Sequence, residues 1–88
     1  MHYTELNALL ADVLGTIEHQ ISADDLAAIQ SFMDAGEPRL AFENLCWSIK
    51  NKDIRISTRS YDALERAARS MRMDKAEWSF VQLCVDSE

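Results

Sequence analysis

The sequence has few of the residues that build most small functional sites. Two glycines and one proline in 88 residues leave no glycine-rich loop to cradle a phosphate. The two histidines, His2 at the start and His19 near a helix end, have no carboxylate or cysteine at ligand spacing beside them, which argues against a metal site. Cys46 and Cys84 stand far apart with no CxxC or Cys/His cluster, so they read as reduced, small apolar core residues. No apolar run is long enough to span a membrane. The first residues, MHYTELNALLADVLG, lack a basic n-region and carry Glu5 and Asp12, unlike a signal peptide, which points to the cytoplasm. No nucleophile motif or paired carboxylate in an apolar setting is present, so the expectation is a non-enzymatic protein without cofactors or metal.

Basic residues are also missing from one half. Residues 1–47 hold eight acids (Glu5, Asp12, Glu18, Asp24, Asp25, Asp34, Glu37 and Glu43) against a single base, Arg39, a net charge of −7. Residues 48–88 hold seven acids and eight bases, which brings the whole chain to −6. A field of that sign repels nucleic acid and steers basic partners inward.

What is present is helical pattern. With 48% hydrophobic and 27% charged residues the chain has the composition of a folded domain, and its length allows one core. Leu6, Leu9, Leu10, Val13, Leu14 and Ile17 recur every three or four residues and predict a first helix, with Thr4 as its cap. Ser22-Ala-Asp-Asp25 reads as an acidic capping box opening a second helix that buries Leu26, Ile29 and Phe32 or Met33. Gly36 fits the left-handed position past its end, and Pro38 the first turn of a third helix, with Ala41, Phe42, Leu45, Cys46 and Ile49 inward. Residues 53–57 read as a loop with Ile54 or Ile56 tucked in. Ser57 or Thr58 caps a fourth helix that buries Tyr61, Leu64, Ala68 and Met71. Asp74-Lys-Ala-Glu77 is a further capping box before a short last helix carrying Trp78, Val81 and Val85. The fold class expected is all-α, a compact single-domain bundle of about five helices spanning 1–88.

Two features of this pattern bear on function. Trp47 falls off the buried stripe of the third helix, in line with Leu40, Glu43 and Asn44; it either packs under the 50–57 loop or stands exposed as an interface anchor. The fourth helix carries Arg59, Arg66, Arg69 and Arg72, a pattern open to duplex DNA, although Asp62 and Glu65 stand four residues ahead of Arg66 and Arg69, as surface ion pairs do.

From Ile21 to Met71 the order of elements is similar to that of the small helical immunity proteins of the MafI type, which accompany toxins of contact-dependent growth-inhibition and related systems. The residues that carry the likeness are Gly36-Glu37-Pro38, then Leu40-Ala41-Phe42-Glu43-Asn44-Leu45-Cys46, the Asp53-Ile54-x-Ile56-Ser57 link, and Tyr61. Trp47 departs from it, standing where that family tends to carry a polar residue. The resemblance implies an inhibitor that binds the toxin domain of its own system, often a nuclease with a basic cleft, and occludes it. Acids on a rigid helical surface can take the places of phosphate oxygens opposite Lys and Arg. The candidate partner-binding residues are Asp12, Glu18, Asp24, Asp25, Glu37, Glu43 and Trp47. A DNA-binding regulator using the fourth helix and an adaptor domain bound through Trp47 are the alternatives, and the sequence leaves monomer and dimer open.

Overall fold

The first apolar stripe sits on α1 (Tyr3–Ile17), where Leu6, Leu10, Val13, Leu14 and Ile17 are buried and Leu9 is half-buried. The computed structural model describes residues 3–86, so His2 lies outside the described residues. Thr4 lies inside the first turn of α1 rather than capping it, because the helical backbone already includes Tyr3.

A turn leads from α1 to Ser22, whose Oγ accepts the Asp25 backbone N–H at 3.1 Å and opens α2 (Ala23–Asp34). Ile29 is the fully buried residue of α2, while Leu26, Phe32 and Met33 line the core's edge. Gly36, at φ +74°, ends the helix in a Schellman motif: its N–H bonds to the Met33 carbonyl and the Glu37 N–H reaches back to Phe32. Pro38 then starts α3 (Pro38–Asn51), so three residues join α2 and α3 into a helical hairpin.

The same end motif recurs without glycine. At the end of α3, Asp53 (φ 52°) takes the left-handed position and the Ile54 N–H bonds to the Ile49 carbonyl. Ser57 caps α4 (Thr58–Ser70), which ends with Arg72 (φ 55°) in that position and the Met73 N–H on Ala68. In both cases the residue after the turn, Ile54 or Met73, is buried, so an apolar contact locks the helix end.

α1 packs along α4, and α2 along α3, around a core that centres on Leu10, Phe42, Leu45, Ile49, Leu64 and Trp78. The last segment is helical but of the tighter kind, with two 3-10 stretches, Lys75–Glu77 and Ser79–Cys84. Trp78 interrupts them with a non-helical backbone (φ −144°, ψ −17°) that lets its ring turn into the core beside Tyr61, centroids 5.6 Å apart. Both Ile54 and Ile56 are buried. Ile56 also forms a single parallel bridge with Val85, through Ile56 N–H to the Cys84 carbonyl (3.0 Å) and Asp86 N–H to the Ile56 carbonyl (2.8 Å).

All-α with four long helices and a short one is the architecture, as the periodicity predicts. A Cα radius of gyration of 11.6 Å is close to the about 12 Å of one compact domain of this length.

Candidate functional site

The seven candidate residues divide into five on one helical hairpin and two off it. Asp24 and Asp25 sit in the first turn of α2, Glu37 caps α3 by position without a side-chain bond, and Glu43 and Trp47 lie on α3. All five belong to the α2–α3 hairpin. Asp12 lies instead in a shallow groove between α1 and α4, facing Arg59, Asp62 and Arg66 above Leu9 and Val13. Glu18 is exposed in the turn after α1. The structure thus brings five of the candidates onto one supersecondary unit and leaves Asp12 and Glu18 off it.

On that hairpin, α3 presents a face that its own fold does not cover. Trp47 is 54% exposed and Leu40, two turns earlier, 40% exposed, which answers the question left open by the sequence: Trp47 does not pack under the following loop. Trp78, by contrast, is 2% exposed. The asparagines near this strip bond back to their own helix. Asn44 Nδ2 donates to the Leu40 carbonyl and Asn51 Nδ2 to the Trp47 carbonyl, each at 2.9 Å.

The cations of α3 are held on its other flank, against the C-terminal segment. Arg39 lies 3.8 Å from Glu43 and donates to Glu77 Oε1 at 2.7 Å, while the other oxygen of Glu77 accepts the Asp74 N–H at 2.8 Å. One carboxylate therefore both caps the 3-10 turn and fastens it to α3. Lys50 Nζ rests 5.1 Å from the centroid of the Phe80 ring.

The acids of residues 1–47 are left almost without internal partners. Among the described residues only Glu43 of the eight has a basic group within 4 Å. Asp25 is half-buried, and one of its oxygens is enclosed with no hydrogen-bond partner, so the capping box at Ser22 is made from the Ser22 side alone. In the other half, Glu65 pairs with Arg69 at 3.4 Å as its spacing predicts, while Asp62 and Arg66 do not come within pairing distance. Leu83, 84% exposed in the second 3-10 stretch, carries no periodic signal because that segment does not follow a 3.6-residue repeat.

The buried thiols are chemically quiet. Burial, with the nearby Glu43 carboxylate adding to it, pushes the Cys46 thiol up to about 12. Burial likewise raises Cys84, with Asp53 reinforcing and Arg55 opposing; its Sγ contacts the Ile49 carbonyl at 3.7 Å. Both cysteines are free. No group of three His, Cys, Asp or Glu side chains among the described residues is placed to hold a metal ion, and no helix is long and apolar enough to cross a membrane. The surface offers an indole, a leucine and a set of carboxylates with no basic side chain within 4 Å among the described residues. Compared with protein-family models, curated proteins and solved structures, the chain matches none.

Proposed function

We propose that this chain neutralises a basic toxin domain, in the manner of the MafI-type immunity proteins it resembles, by occupying the toxin's substrate cleft or a surface near it. The observation that carries the reading is the state of the acids. Seven of the eight carboxylates in residues 1–47 have no basic side chain within 4 Å among the described residues, so their field is not spent inside the fold. Carboxylates on rigid helices suit Lys and Arg arranged for phosphates. A nuclease cleft is such an arrangement, and the inhibitor's site of action would be the cytoplasm of the toxin-producing cell.

The test is to capture the partner from the native host, identify it by mass spectrometry, purify it and titrate its activity with this chain. Complete loss of activity at one equivalent supports the reading; an active partner at saturating inhibitor sinks it.

A second reading rests on α4, where Arg59 and Arg66 make no ion pair among the described residues; Arg72, expected on this helix, lies instead in the left-handed turn past its end. Asp62 and Glu65 interrupt that stripe, and the net charge of −6 opposes a polyanion. Specific duplex binding at physiological salt, abolished by Arg66→Ala with Arg69→Ala, would replace the first reading with this one.

A further inference from the structure

A tryptophan more than half exposed is costly to leave in water, and on this chain it is not isolated. Trp47 and Leu40 stand two turns apart on one face of α3, at a spacing of seven residues. Asn44 and Asn51 each commit one amide N–H to their own helix backbone. Arg39 and Lys50 are drawn to the C-terminal segment by Glu77 and Phe80.

The hairpin places acids at both ends of this strip. Asp24 and Asp25 lie about ten residues before the turn and Trp47 about as far after it, so at about 1.5 Å per residue they are level along the hairpin. Asp34, the last residue of α2, and Glu37, just before α3, lie at the other end, where the turn leads to Leu40. These four carboxylates have no base within 4 Å among the described residues.

We infer that the outer face of the α2–α3 hairpin is the docking surface, and that its occupant is a basic protein presenting an apolar pocket for Trp47 rimmed by Lys or Arg. The inference rests on the inhibitor reading and names the surface it uses. Charge selects the occupant: a second copy of this chain would set like-charged acids against each other around the same indole, whereas a basic rim pairs them. A large aromatic seated in a desolvated pocket is the usual form of an energetic anchor, and the charged rim selects the partner.

The test uses the partner captured from the native host, identified and purified, and reads its dissociation constant at a fixed salt concentration. Trp47→Ala should weaken binding by about 30-fold or more and Leu40→Ala by about fivefold. Asp24→Lys and Glu37→Lys should weaken it more than Asp12→Lys and Glu5→Lys on α1. Because Trp47 is exposed, its alanine variant should melt as the native chain does, and Trp47→Phe should restore part of the affinity.

In the Trp78→Phe background, Trp47 is the single tryptophan. Its emission should shift to the blue and lose its quenching by iodide when the partner is added. Trp47→Ala binding within threefold of the native chain, an indole still quenched in the complex, or shielding of Trp47 by self-association alone would overturn the proposal. The two readings fail separately. Binding through Trp47 to a protein whose activity is untouched ends the inhibitor reading; one-to-one silencing that Trp47→Ala leaves intact ends the surface.

Discussion

At the scale of single residues, Cys46 shows how burial converts chemistry into stability. Its side chain is 1% exposed on the inner face of α3, where a thiolate would have neither water nor a cation to hold it. The thiol therefore stays protonated in the folded chain up to about 12, while in the unfolded chain it ionises near 9. The folded state thus binds the proton more tightly, and stability falls as pH rises between those two values. That difference in proton affinity corresponds to at most about 4 kcal/mol, a large part of what a domain this size has. The expected outcome is a melting temperature that drops steeply from pH 9 to 11 in the native chain and less steeply in Cys46→Ala, once both are referred to their values at pH 7. Equal slopes would show that the thiol ionises as easily inside as outside. Trp47 is the opposite case, a residue whose environment is water; its place off the buried stripe is visible in the sequence because a helix face is a simple angular rule. Whether the loop after α3 folds over it is not, since that depends on where Ile54 and Ile56 are drawn, and both are drawn into the core.

At the scale of elements, the four long helices are legible because each repeats its apolar residues every three or four positions over three turns or more. The last segment is legible as a location and not as a geometry: burying Trp78 takes a backbone kink that splits it into two 3-10 stretches. Its fastenings join residues far apart in the chain, Arg39 to Glu77 and Ile56 to Val85, and no local pattern announces them. Gln20 is another such tie, donating to the Arg55 carbonyl and accepting the Arg55 N–H, each at 3.0 Å. Helix ends are half legible. The glycine rule finds the end of α2, but the identical turns after α3 and α4 use Asp53 and Arg72, where a side chain costs about 1–2 kcal/mol in the left-handed region. Three substitutions test this together. Arg72→Gly should stabilise by about 1 kcal/mol, and Gly36→Ala should destabilise by about the same, since Gly36 has φ +74°. Gly15→Ala, in the last turn of α1 with nothing within 4 Å of the added carbon, should stabilise by about 0.5–1 kcal/mol. Urea midpoints read all three, and a stabilising Gly36→Ala would show that the Schellman turn is not held as described.

At the scale of the molecule, the charge pattern makes opposite demands on the free chain and on the complex proposed for it. All five ion pairs among the described residues are carried by three arginines, Arg39, Arg55 and Arg69, whose side chains are solvent-exposed, so they contribute little. Against them stand the uncompensated acids of residues 1–47, four of which share the α2–α3 hairpin. Repulsion among these acids acts over the Debye length, about 30 Å at 0.01 M salt and about 10 Å at 0.1 M, which compares with the molecule's own extents of 32 × 27 × 19 Å. At low salt the repulsion therefore reaches across the domain, and screening removes more repulsion than attraction. Raising sodium chloride from about 0.01 to 0.3 M should increase the melting temperature of the free chain by about 2–5 °C. The same change should weaken its complex with a basic partner, chiefly by slowing association. Scanning calorimetry of the free chain and stopped-flow mixing with the partner measure the two separately. If the acids were neutralised within the fold, salt would leave the melting temperature unchanged or lower it. A Glu37→Lys variant, which lowers the net negative charge by two, should reduce both effects at once.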